Sequence, residues 1–150
     1  MPQSLALNLI HLIYSTKNRT ACLTPDIRPK LFAYQAGIFH QWESPALIIG
    51  GETDHVHALF VLSKNHTLVK VIEEVKRGSS KWLKDQCGSF SQFHWQNGYG
   101  AFSVSQSSVA RVRRYIEEQT EHHRKRSFQE EFRLFLKRYG VEYDERYVWD

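Results

Sequence analysis

No apolar run in this 150-residue chain approaches the length of a membrane span. The longest, Ala46 to Ile49 and Ala58 to Leu62, are short, whereas a helix crossing a bilayer needs about 20 apolar residues. A transmembrane helix is therefore not expected. The apolar stretch Leu5 to Tyr14 is broken by Asn8 and His11, with no basic flank before it and no small-residue cleavage site after it. It reads as a first strand and not as a secretion signal. Cysteine is scarce too. Cys22 and Cys87 stand far apart and form no CxxC pattern, which suits free thiols in a reducing cytoplasm. Internal repeats are also missing, so one compact domain over residues 1–150, large enough to bury a core without staples, is expected.

What is present belongs to a soluble globular protein. The chain is 41% hydrophobic, 13% aromatic and 24% charged, which excludes a disordered chain. A net charge of +4 and a pI near 9.1 are moderate, and their distribution says more than the total. Lys64, Lys70, Lys76, Arg77, Lys81 and Lys84 crowd one segment, and Arg111, Arg113, Arg114, Arg124, Lys125 and Arg126 another, while Glu142 to Asp150 is acidic. Basic clusters of this kind suit a polyanion such as DNA or RNA. A solvated helix face would look the same.

Strands and helices alternate along the chain. Leu5 to Ser15 reads as a strand, followed by a helix that Thr24 caps and Pro25 starts, with Ile27, Leu31, Tyr34 and Ile38 at helical spacing up to Gln41. Ala46 to Ile49 is a strand, and Gly50 to Asp54 reads as a hairpin turn before a second strand, His55 to Leu62, apolar on both faces and hence central. Thr67 caps a helix running to Cys87-Gly88. Gln92 to Ser105 is an aromatic, glycine-rich piece with Asn97-Gly98 as a turn. Ser107 or Ser108 caps a helix to Lys125, and Ser127 with Glu130 forms a capping box for a last helix that Gly140 ends. Phe128, Phe132, Phe135, Leu136 and Tyr139 make its buried stripe, and the aromatic tail Tyr143 to Trp149 docks. The plan predicts an α+β fold, a ferredoxin-like antiparallel sheet covered by helices.

Two constellations carry chemistry. On a strand, His55 and His57 point to the same face about 7 Å apart at the backbone, a geometry for binding a metal or moving a proton that occurs in several unrelated enzyme classes. On the helix from Ser108, at about 100° per residue, Val109, Val112 and Ile116 form the apolar stripe and Tyr115, Gln119 and His122 fall in the neighbouring sector. That sector faces a site or merely rims a core. Trp95, Tyr99 and Phe102 stack on bases or fill the core, with the core favoured, and His11, His40, His66 and His94 are read as structural. His122 and His123 read as an exposed basic helix end.

Together, His55-Val56-His57 and a single Tyr115 followed four residues later by Gln119 resemble the single-tyrosine HUH transposases, the small insertion-sequence and REP-associated kind. Ser15-Thr16-Lys17-Asn18-Arg19, Lys76 to Trp82, Trp95 to Val104 and His122 to Lys125 are similar as well, so the resemblance runs from about Leu7 to Trp149. It implies the HUH endonuclease fold and a metal-dependent transposase that cleaves and rejoins single-stranded DNA near hairpins through a 5′-phosphotyrosine. By that resemblance Tyr115 is the nucleophile, and His55, His57 and Gln119 hold Mg²⁺ or Mn²⁺. Glu117, Glu118 and Glu121 on the same helix compete with Gln119 for that place. Lys17, Arg19, Lys76, Arg77 and Lys81 are expected to contact DNA phosphates. Such enzymes also work as homodimers in which the tyrosine helix meets the partner's histidines. The covalent intermediate conserves the bond energy, and no P-loop pattern for a nucleotide occurs.

Rival readings fare less well. A histidine-triad hydrolase needs a third histidine where Leu59 stands, and a two-histidine phosphodiesterase would repeat a His-x-Thr or His-x-Ser motif that this chain lacks. A domesticated or inactive relative that holds hairpins without cutting them would be expected to lose Tyr115 or a histidine, and all are present.

Overall fold

A computed structural model describes residues 2–119 and 126–150. Strands β1 (Asn8–Ser15), β2 (Ala46–Glu52), β3 (His55–Leu62) and β4 (Gly100–Val104) form one antiparallel sheet in the order β2-β3-β1-β4. The helices α1 (Ile27–Gln41) and α2 (Leu68–Gln86) cover one face, and α3 (Val109–Glu117) and α4 (Phe128–Arg138) cover the other. The ferredoxin-like α+β arrangement read from the sequence is the one observed.

The period of two in β3 sorts its residues between these layers. Val56, Ala58 and Phe60 enter the main core with Ile10, Leu12 and Tyr14 of β1 and with Leu31, Phe39, Val71, Ile72 and Val75 of the first two helices. The alternate residues His55, His57 and Leu59 face α3 and α4, all three fully buried. β3 is thus a central strand covered on both faces, as its apolar pattern requires.

Several boundaries differ from those expected. β1 begins at Asn8 instead of Leu5, because its partner ends there, Asn8 pairing with Leu62; Leu5, 86% exposed, has nothing to pack on. β2 continues through its glycines, with Gly50 opposite His57, Gly51 opposite Val56 and Glu52 opposite His55, so the turn shrinks to Thr53 and Asp54. Gly50 is required by close approach: a Cβ there would stand 2.7 Å from the carbonyl oxygen of Ile116 on α3. The helix α3 ends at Glu117, with Glu118 leaving helical geometry at φ −96, ψ 23. The rest of the predicted Ser108–Lys125 helix, from Thr120 on and including His122 and His123, lies outside the described residues. Ser108 stands at the N-cap without a side-chain cap bond.

α1 starts at Ile27, with Asp26 at its N-cap and no side-chain cap bond, and not at Thr24-Pro25, whereas three other signals act as read. Thr67 Oγ1 accepts from the Lys70 N–H at 3.3 Å, and Ser127 Oγ accepts from the Glu130 N–H at 3.2 Å. Gly140 adopts φ +66, and the Val141 N–H then donates to the Leu136 carbonyl at 2.9 Å, closing α4 as a glycine C-cap does.

Candidate active site

Four elements converge on the histidines of β3. Gly50 admits α3 against the sheet, which carries Tyr115 over His57, with ring centroids 5.7 Å apart. One helical turn on, Gln119 is buried at 2% exposure, and Glu131 enters from α4 at 3%. From β1, His11 projects beside His57, the two rings 5.1 Å apart. Tyr115 and both histidines belong to the same chain.

The hydrogen bonds order this cluster. His55 Nδ1 stands 2.7 Å from Asp54 Oδ1, so the carboxylate takes the Nδ1–H and turns Nε2 inward. There Nε2 meets Gln119 Oε1 at 3.0 Å. The Gln119 amide nitrogen donates to the Tyr115 carbonyl at 3.3 Å and to Glu131 Oε1 at 3.4 Å, which fixes the amide with its oxygen toward His55. A neutral imidazole nitrogen and an amide oxygen both offer lone pairs. Their approach needs a proton or a metal ion between them.

His57 repeats the pattern. Its Nδ1 lies 2.9 Å from His11 Nε2, and its Nε2 lies 3.0 Å from Glu131 Oε1. Burial, then the nearby His57, holds His11 well below the usual imidazole range, Glu131 opposing. A neutral His11 either donates to His57 Nδ1 or accepts from it. His57 Nε2 can therefore present a hydrogen to Glu131 or a lone pair to a cation, an orienting arrangement common behind metal-binding histidines.

The Tyr115 hydroxyl donates to Glu131 Oε1. Burial first, and then the charge and hydrogen bond of Glu131, push the phenol above its ordinary range. The proton therefore stays on Tyr115, aimed at a carboxylate. Ligand atoms of His55, His57 and Glu131 all lie within 4.8 Å of one another, close enough to hold one metal ion.

Of the residues singled out in the sequence, Tyr115, His55, His57 and Gln119 are brought together. The basic residues are scattered. Lys17 and Arg19 sit in the turn after β1, where Asn18 and Arg19 adopt φ 58 and 55, and the Arg19 guanidinium stands 5.8 Å over Trp149. Lys76, Arg77 and Lys81 lie on α2, across the sheet from Tyr115. Lys76 Nζ donates to the carbonyls of Gln96, Asn97 and Gly98 at 2.7, 3.2 and 2.8 Å. It is a clip for that loop. Arg77 pairs with Glu74 on the surface, and Lys81 is exposed. Trp95 and Phe102 belong to the core, each 5% exposed, while Tyr99 is 38% exposed.

Sequence reasoning missed Asp54, His11 and Glu131. Asp54 reads as a turn residue, and His11 as a structural one. Glu131 had a signal: it lies three residues after Phe128 and four before Phe135, on the apolar stripe of its helix, where a carboxylate has no place without a partner.

The profile of the family described as "Transposase IS200 like" matches residues 5–119. The chain belongs to this transposase family. The matched segment contains His55, His57, Tyr115 and Gln119 but ends before Glu131. Among solved structures, a candidate transposase from Deinococcus radiodurans R1 is 21% identical with a TM-score of 0.62, over 79% of this transposase and 98% of that chain. A REP-associated tyrosine transposase bound to a REP hairpin is 12% identical with a TM-score of 0.61, over 82% of this chain and 74% of that one. At these identities the two structures establish the shared fold. A search of curated proteins found no match.

Proposed function

We propose that this transposase nicks and rejoins single-stranded DNA near a hairpin, with Tyr115 as nucleophile and Glu131 as the acceptor of its proton. The carrying observation is the Tyr115 hydroxyl, donating to Glu131 within one buried cluster that also holds both β3 histidines. As the phenol proton passes to Glu131, Tyr115 Oη attacks phosphorus in line. The new O–P bond forms while the bond from phosphorus to the 3′ oxygen breaks and that oxygen takes a proton from water, leaving a 5′-phosphotyrosine and a free 3′-hydroxyl. A 3′-hydroxyl from another strand reverses the step, losing its proton to water as it takes the phosphate, while Glu131 returns its proton to Tyr115 Oη.

The donor set of two imidazoles, a carboxamide oxygen and a carboxylate suits Mg²⁺ or Mn²⁺. His55 and His57 would hold the ion with Gln119 or Glu131. When bound, such an ion polarises phosphate oxygens and offsets charge in the transition state. Asp54 and His11 orient the two imidazoles.

Lys17, Arg19, Arg77 and Lys81 supply phosphate contacts, while Lys76 serves the protein's own loop. The relative bound to a REP hairpin motivates hairpin binding here. No described helix is long and apolar enough to cross a membrane; we place the activity in the cytoplasm. Pairing into a homodimer is part of the proposal.

The test is incubation with single-stranded DNA from the flanks of its own gene and Mg²⁺ or Mn²⁺. A covalent protein-DNA adduct is expected from the natural protein and none from Tyr115→Phe. Persistence of the adduct in the variant would remove Tyr115 as nucleophile. Tight hairpin binding with no adduct from the natural protein would identify a binding module instead. His55→Ala and His57→Ala should abolish cleavage more than binding, because backbone contacts carry most of the affinity.

A further inference from the structure

Tyr115 has two sides. One faces the histidines and Glu131, and the other forms part of a cavity of about 520 Å³ between β4, α3 and α4. Such a volume accommodates a small ligand. Arg111 from α3 and Arg138 from α4 line it, with Ser103, Ser105 and Ser108, and among the described residues no carboxylate does so. Among the described residues, Arg28, Arg77, Arg133 and Arg146 are held in ion pairs, and these two are not. Arg111 Nη2 donates only to Ser108 Oγ, at 3.1 Å, and the Arg138 guanidinium stands 5.7 Å over the Phe135 ring. Two guanidiniums and three serines around a cavity to which no described residue brings an acid fit an anion.

The same cavity has an aromatic wall. Tyr139 is 41% exposed, and one of its faces is braced on Phe102, with centroids 4.6 Å apart and planes at 17°. A braced, half-exposed ring is a platform on which a base can stack. An anion and a planar apolar group side by side describe a nucleotide.

We propose that this cavity binds one nucleotide of the single strand next to the scissile phosphate, its phosphate on Arg111 and Arg138 and its base on Tyr139. The identity of the ligand as DNA rests on the nicking reading above. Because Tyr115 borders both spaces, a strand seated in the cavity leads directly to the nucleophile. The cavity then contributes to the choice of where the strand is cut.

The experiment uses the full chain in EDTA, so that binding is read without cleavage. A dye-labelled single-stranded 20-mer from the flank of its own gene is titrated, together with a series in which each position in turn is abasic. One abasic position should weaken binding about five-fold or more, the loss expected for one stacked base. In Tyr139→Ala that position should lose its effect while the others keep theirs. In Arg138→Gln, an exposed substitution with little risk to folding, the slope of log affinity against log salt should fall by about one. An abasic profile that is flat in the natural protein, or unchanged in Tyr139→Ala, or an unchanged salt slope in Arg138→Gln, overturns the subsite. Adduct formation with Mg²⁺ is measured in parallel. A normal adduct with an unaltered profile refutes the subsite alone, and the predicted profile without an adduct refutes nicking alone.

Discussion

Glu131 is a carboxylate at 3% exposure among phenylalanines, and its surroundings explain how it is tolerated. It accepts from the Tyr115 hydroxyl and the Gln119 amide and lies 3.0 Å from His57 Nε2, so its charge is shared among groups that a phosphate reaction needs. Glu131→Gln keeps the shape and removes the charge. Adduct formation in a quenched time course is expected to fall by about 10² to 10⁴-fold, the usual contribution of a positioned base. Asp54 acts one step further out. Asp54→Asn loses the charged acceptor for His55 Nδ1, so Mn²⁺ binding followed by electron paramagnetic resonance should weaken by about 10 to 100-fold. An unchanged affinity would mean that the carboxylate does not orient the ring.

Among the elements, α3 decides the geometry because it carries the nucleophile, and a glycine on β2 sets its height above the sheet. The absent Cβ of Gly50 is what lets Ile116 rest on the strand, one residue from Tyr115. In Gly50→Ala the new methyl would stand 2.7 Å from the Ile116 carbonyl oxygen and 2.8 Å from its Cγ2, so the helix must move outward. Stability should drop by about 1 to 3 kcal/mol, the cost of overpacking. The adduct should form more slowly while affinity for single-stranded DNA holds. Thermal unfolding and adduct kinetics on the same sample check both, and a normal rate would show that α3 need not sit so close.

For the whole molecule, the loop Gln96–Gly98 ties the two sides of the sheet together. Lys76 of α2 holds its carbonyls from one side, and the Gly98 N–H and Gln96 amide donate to the Asp150 carbonyl on the other, at 2.9 and 3.3 Å. The tail docks through Trp149, which packs on Phe128 and Phe132, whereas Tyr147 points out at 64% exposure. Burial pushes the Lys76 ammonium from 10.5 down to about 8. Between those values the unfolded chain keeps the proton that the folded chain releases, so folding stability rises with pH there. The urea midpoint should therefore climb from about pH 8 to about pH 10 by an increment that Lys76→Met lacks. Equal slopes in the two proteins would place the ammonium in water.

Local chemistry determined much of this protein from the sequence alone. Period-two and helical spacing placed the histidines on a buried strand and Tyr115 on the helix that faces them, with Gln119 just past its end, and the cap residues Thr67, Ser127 and Gly140 marked helix ends through bonds made within a few residues. The length of β2 escaped because glycines signal a turn until a helix is known to lie on them. The company the histidines keep across elements came only from the packing: His11 across from His57, and Glu131 from a helix 74 residues beyond His57. Such pairings depend on which elements pack together, and no spacing along a single strand or helix records that.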